Sequence, residues 1–298
     1  MRTIKTRNLI IGEGRPKICV PLTGGSTAEV LDEAHRAISL PADMIEWRAD
    51  YFRDVGDPGA LTACLRELRT VLGDLPLLFT LRSEVEGGAF QGSGRQYAEI
   101  VGTAASSGLV DLVDVELARC GDSADTDYEC NEAAQAAGNA GAAGTNGAAE
   151  TKGATDIVGA SGAKGAAEII GAAHEHGVRV VASYHDFDAT PAKDKLIEIF
   201  CSMQSHDADI LKIAVMPRSP DDALILMDAT EEASMLYVDR PVVGISMGEL
   251  GLISRSKAEA IGSAICFAAG PDGGSAPGQI AAEEMSEILR IMHEHSRD

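Results

Sequence analysis

The chain has 298 residues, 45% hydrophobic and 4% aromatic, with 46 acidic against 25 basic side chains and a formal net charge of −21. That length buries a large core, built mainly from Val, Ile, Leu and Ala because aromatics are scarce. The acidity argues against nucleic acid or an anionic membrane as partner, and no window reaches the ~18 apolar residues of a membrane span. The same field repels an anionic substrate unless local arginines override it. Only 8 of the 25 basic residues are Lys, a balance that suits a salt-rich cytoplasm. The N-terminus MRTIKTRNLIIGEGRPK holds only a three-residue apolar run, which is no signal peptide. Cys19, Cys64, Cys120, Cys130, Cys201 and Cys266 show no CxxC spacing, so they read as reduced cytoplasmic thiols rather than a disulfide framework.

In chain order, residues 2–12 fit a short hairpin that closes a barrel floor. Strand-like runs follow at 17–22, 44–48, 77–82, 109–117, 178–184, 210–215, 242–247 and 264–268. Helix-like patterns at 28–40, 59–72, 96–107, 191–205, 220–237 and 256–263 separate them, and 279–293 closes the series. Eight strands alternating with helices give the count of a single (β/α)8 TIM barrel, class α/β, spanning 1–298. An open doubly wound sheet is the alternative, but no GxGxxG follows a strand. Between 131 and 155, 15 of 25 residues are Ala or Gly. Such a segment buries too little apolar surface to offset its ordering entropy, so 119–161 reads as a low-complexity insertion after strand four. It is either a tolerated loop or a lid over the catalytic rim.

Residues two apart on a strand share a face. Glu46 and Arg48 therefore point together and Trp47 away, as a substrate contact or as a structural ion pair. Asp114 and Glu116 repeat the spacing as inward acids, partners for arginines and a lysine. Arg82 ends strand three ahead of Glu86-Gly87-Gly88, where glycines permit a sharp turn and Glu86 is placed to orient a histidine. His185 ends strand five, on the rim where barrel active sites lie. Thr190-Pro191 after it fits a helix cap and first position. The remaining histidines read as surface residues. Lys212 interrupts the apolar run 210–215 and shares a face with Ile210 and Ala214. A lysine inside a barrel, one strand from a histidine, is equipment for iminium chemistry on a ketone; a lysine snorkelling at the rim is the bland reading. Late in the chain, Arg255 offers a fork for a carboxylate, and Gly273–Gln279 has the make-up of a flap.

The segments EWR at 46–48, TLRSEVEGG at 80–88, VDLVDVEL at 110–117, SYHDFDATP at 183–191, DILKIAVMP at 209–217, SMGELGLISR at 246–255 and SAPGQI at 275–280 stand in one order. With them the chain resembles the type I 3-dehydroquinate dehydratases (type I dehydroquinases). That resemblance implies a barrel that dehydrates 3-dehydroquinate to 3-dehydroshikimate in the shikimate pathway, without metal or cofactor, as a cytoplasmic homodimer. It assigns Lys212 the Schiff base, His185 the proton transfers of a syn elimination, and Glu86 the place behind His185. Glu46, Arg48 and Arg82 then surround the substrate hydroxyls, with Arg255, Ser275 and Gln279 on the carboxylate side. Two departures stand out: the insertion, and Pro21, where some members carry a serine that touches substrate. Other readings stay open, a class I aldolase using the same lysine or a non-catalytic binding barrel. A phosphate-binding glycine loop after strands seven and eight would favour an aldolase; Ser275, Gln279 and Arg255 suit a carboxylate instead.

Overall fold

Alternation in the apolar runs builds the molecule, because each strand must bury one face inside a barrel and the other beneath helices. The computed structural model describes residues 2–117 and 165–295; the expected insertion at 119–161, with Cys120 and Cys130, lies outside them. Eight strands pair in parallel: β3 (Lys17–Leu22), β4 (Met44–Arg48), β5 (Leu77–Thr80), β6 (Leu112–Glu116), β7 (Arg179–Asp186), β8 (Ile210–Val215), β9 (Val242–Ser246) and β10 (Ile265–Phe267). Their spatial order is β10-β3-β4-β5-β6-β7-β8-β9. At the seam between β9 and β10, the Ala264 amide donates to Val242 O at 2.8 Å and the Gly244 amide to Ser263 Oγ at 3.2 Å. The fold is the expected (β/α)8 barrel.

Helices α1 (Thr27–Ala37), α2 (Pro58–Leu72), α3 (Gly94–Ser106), α4 (Gly165–Glu175), α5 (Lys193–Ser205), α6 (Pro220–Glu232), α7 (Leu252–Ser256) and α8 (Ala282–His295) are joined to these strands in alternation. Local chemistry sets their starts: Asp57 caps α2 ahead of Pro58, and capping boxes open α3 (Ser93, Gln96) and α6 (Ser219, Asp222). Outward strand residues pack under them. Trp47, facing away from Glu46 and Arg48 as alternation requires, meets Phe52 and Phe79 edge-on at 5.5 and 5.7 Å.

Several expected boundaries move. The run 77–82 ends as strand at Thr80, because the chain turns into a 3₁₀ turn at Glu84–Glu86. Thr190 does not cap α5: that helix starts at Lys193 after Ala192, and Thr190 Oγ1 donates to Met216 O at 3.2 Å instead. The expected helix at 220–237 changes to a π-helical turn at Ala233–Tyr237, and the one at 256–263 lies upstream as α7. Helix α4 fills a stretch that the sequence left unassigned.

The hairpin β1 (Ile4–Thr6) and β2 (Leu9–Ile11) plugs the barrel floor. Ile4 and Ile11 join the inward Cys19, Met44, Leu78, Leu112, Val181 and Ile210 in one buried cluster. Asp111, just before β6, locks this plug. It accepts from Arg7 Nε at 2.6 Å, Arg69 Nη1 at 2.8 Å and the Leu77 amide at 2.9 Å. Arg7 has a left-handed φ of 48°, a conformation that its anchored guanidinium helps to hold. Asp111→Ala strands two guanidinium groups and an amide, so urea unfolding should show a loss of about 2–4 kcal/mol. A loss below about 0.5 kcal/mol, the scale of an ordinary surface substitution, would mean that the floor is held by apolar packing alone.

Candidate active site

The apolar floor gives way to charge toward the C-terminal rim. A cleft of about 470 Å³, its open mouth included, is lined by Glu46, Arg48, Arg82, Glu86, Gly87, His185, Phe187, Lys212, Ala214, Ile245, Met247, Arg255, Phe267, Ser275 and Ala276. The strand pattern explains the gathering: Glu46 and Arg48 come from β4, His185 from β7, Lys212 and Ala214 from β8, Ile245 from β9 and Phe267 from β10. Four cations, Arg48, Arg82, Lys212 and Arg255, and two acids, Glu46 and Glu86, stand in this lining, with Asp50, Asp114 and Glu116 directly behind them.

Arg82 is the hub. Its Nη1 donates to Glu116 Oε1 at 2.9 Å, Ser183 Oγ at 3.0 Å and Glu86 Oε2 at 3.2 Å, and its Nη2 to Asp114 Oδ2 at 2.9 Å. Burial works against the cation, but Asp114, Glu116 and Glu86 outweigh it and hold its pKa well above the ordinary value. Burial likewise works against ionised Asp114, yet Arg82 and Lys212 keep its carboxyl below the usual range. Ser83 fixes Glu116 through its amide at 2.7 Å and its hydroxyl at 2.5 Å. Lys212 Nζ lies 3.4 Å from Asp114 Oδ2 and 4.4 Å from the Phe267 ring centre. It is buried, so it does not snorkel to water.

His185 Nδ1 lies 2.8 Å from Glu86 Oε2. Burial first, then the cations Arg82, Lys212 and Arg48, push the imidazole pKa well below its ordinary 6.5. Burial and the like charge of Glu116 push Glu86 upward, which makes its carboxylate a stronger acceptor for the Nδ1 proton. With Nδ1–H donated to Glu86, Nε2 keeps its lone pair as a base. Glu86 Oε1 is buried without a partner.

Arg48 forms no ion pair with Glu46. It forks onto Asp50, Nε to Oδ1 and Nη2 to Oδ2, both at 2.8 Å, while Glu46 Oε1 accepts from Thr80 Oγ1 at 2.8 Å. Asp50 also accepts from the Ala89 amide at 3.1 Å, tying the β4 and β5 rims together. Arg255 differs from the other arginines. Its Nη1 donates to Phe267 O at 3.0 Å and Nη2 to Pro277 O at 3.4 Å, while Nε is buried without a partner. Burial lowers its pKa to about 10, and among the described residues no carboxylate pairs with it. Ser275 reaches the cleft. Gln279 braces it from behind, with Oε1 accepting from the Ser275 amide at 2.6 Å and Nε2 donating to Ser275 Oγ at 3.3 Å. Sequence reasoning missed Asp50, Phe187, Phe267 and Met247; the acids at 50 and 54 just after a strand were the available signal for Asp50.

The type I 3-dehydroquinase profile matches residues 18–136 and 158–296. The chain belongs to the type I 3-dehydroquinase family. It is 36% identical over 292 residues to a 3-dehydroquinate dehydratase of Clostridioides difficile (strain 630), covering 98% of each chain. With a 3-dehydroquinate dehydratase of Listeria monocytogenes serotype 4a it is 38% identical over 293 residues, covering 98% of this chain and 99% of the relative. Its structure resembles the type I 3-dehydroquinate dehydratase of Clostridium difficile, solved with covalent modified comenic acid. That match has a TM-score of 0.82 and 36% identity over 99% of both chains. The 3-dehydroquinate dehydratase of Geobacillus kaustophilus HTA426 matches at TM-score 0.81 and 34% identity, covering 99% of this chain and 98% of the other. Family membership and the charged cleft at the C-terminal rim agree.

Replacing Arg82 by Met leaves Asp114, Glu116 and Glu86 buried without their cation. Urea unfolding should fall by about 3–5 kcal/mol, and Arg82→Lys should recover only part because a lysine lacks the fork. A loss under 1 kcal/mol, the size of one ordinary hydrogen bond, would show that the three acids find other partners.

Proposed function

We propose that this protein removes water from 3-dehydroquinate to give 3-dehydroshikimate, with Lys212 as the Schiff-base nucleophile and His185 as the base. Family membership supports the reaction. The observation that supports the roles is the buried row of Lys212, His185 and Glu86 beside an arginine, Arg255, that has no carboxylate partner among the described residues. The lysine amine and the C3 ketone condense to an iminium, and the carbonyl oxygen leaves as water. The iminium draws electrons from C2, so His185 Nε2 takes the C2 proton and an enamine forms. Collapse of the enamine expels the C1 hydroxyl, which leaves as water with the proton from His185, on the same face. Hydrolysis then frees the product and the lysine. Proton transfer of this kind contributes ~10²–10⁴-fold, and the covalent electron sink adds to it.

Glu86 holds the histidine in its basic tautomer, Glu46, Arg48 and Arg82 surround the hydroxyl side, and Arg255 and Ser275 receive the carboxylate. Gln279 acts through Ser275. An aldolase reading lacks support, because the rim offers a fork for a carboxylate and no phosphate loop. The same proposal takes 1–298 as one catalytic domain. It also places a homodimer in a reducing cytoplasm, a compartment that suits the free thiols of Cys19, Cys64 and Cys266.

Borohydride added during turnover should fix substrate-derived mass on the Lys212 peptide and nowhere else. Full turnover with Lys212 unmodified would sink the mechanism. Lys212→Ala should abolish turnover in a folded protein, and His185→Ala should slow it by ~10²–10⁴-fold. Arg255→Ala should raise KM, equivalent to about 2–4 kcal/mol of binding.

The pH profile follows from the depressed His185 pKa. The base must be neutral, and a value well below 6.5 keeps it neutral through that pH. The kcat/KM profile should therefore be flat from pH 8 down to 6.5 and fall only on further acidification. A His185 imidazole that titrates above 6.5 by NMR in the free protein would assign the base elsewhere.

A further inference from the structure

We propose that Phe187 is a positioning residue for this reaction: its ring seals the Glu86–Gly87 turn over His185 and keeps water from the imidazole–carboxylate pair. The inference rests on the reading of His185 as the base, and deepens it.

Three observations converge. The Phe187 ring stacks on His185, with ring centres 6.5 Å apart and planes 21° from parallel. The other contact is with Gly87. A β-carbon at that position would meet the Phe187 ring at 2.3–2.7 Å, so only a residue without a side chain lets the ring lie there. Gly87 also has a φ of +76°, a left-handed conformation that glycine adopts freely. The turn carrying Glu86 and the residue covering His185 are thus fitted to each other, although Gly87 and Phe187 stand 100 residues apart in sequence. The third observation concerns solvent. Phe187 is itself 37% exposed at the mouth of the cleft, while the His185 side chain beneath it is only 8% exposed. Glu86 Oε1 is buried and has no hydrogen-bond partner among the described residues.

The charged groups around the imidazole cannot replace this cover. Arg82 after β5, Lys212 on β8 and Arg48 on β4 face it as cations; Glu86 faces it directly, with Asp114 and Glu116 of β6 behind Glu86. Asp186, next along β7, is turned to the Asp188 and Ala189 amides. Burial is the largest influence holding the imidazole neutral, ahead of those cations. Among the described residues, Phe187 is a part-exposed side chain stacked on the imidazole at the mouth of the cleft. Removing the ring admits water to Nε2 and Glu86, stabilises the imidazolium and loosens the orientation of the base.

The test is an NMR titration of His185 in the free, full-length protein, assigned by its loss in His185→Ala. In Phe187→Ala the midpoint should rise toward 6.5 by about one unit. In Phe187→Leu, which keeps apolar cover, it should stay close to the wild-type value. The acid limb of kcat/KM should move in the same direction and by a similar amount. An unchanged titration in Phe187→Ala overturns the proposal and leaves the base assignment standing. Near-wild-type turnover by His185→Ala would overturn the base assignment instead, whatever the titration of the Phe187 variants shows.

Discussion

A single buried guanidinium organises the rim. Arg82 meets Glu86 on its own turn, Asp114 and Glu116 on β6 and Ser183 on β7. Three acids brought together without it would repel one another and desolvate at a cost of several kcal/mol each. With it, they are fixed in place, and two of them reach onward: Asp114 to Lys212, and Glu86 to His185. The two side chains proposed to carry the chemistry are thus held through one hub rather than by independent supports.

The barrel makes that hub possible by separating its interior into layers. Near the floor the inward residues are apolar and the hairpin plugs the end with Ile4 and Ile11. One layer higher the same strands present Glu46, Asp114, Ser183 and Lys212. The charged layer therefore rests on a dry base and opens only toward the rim. Its side chains Glu46, Asp114, Ser183 and Lys212 are buried, which strengthens the interactions among them.

Much of this was legible in the sequence, because period-two alternation carries directly into three dimensions. Glu46 with Arg48, Asp114 with Glu116, and Lys212 with Ile210 and Ala214 all share the faces that spacing assigns. What alternation does not encode was missed. Asp50 lies beyond β4 in a 3₁₀ turn, where the two-residue rule lapses, so Arg48 was set beside Glu46 alone. The Phe187–Gly87 fit joins two rims and has no local signature. Thr190-Pro191 carries the chemistry of a helix start, yet Thr190 is drawn to Met216 by the neighbouring strand end. Gln279 has the right composition for a ligand contact, but its own loop occupies both ends of its amide.

The incomplete pairing of Arg255 bears on the stability of the protein as well as on recognition. Among the described residues this buried cation is met by two carbonyls, of Phe267 and Pro277, and by no carboxylate. An anion that completes the pair binds the native state and not the unfolded chain, so occupancy draws the folding equilibrium toward the native side.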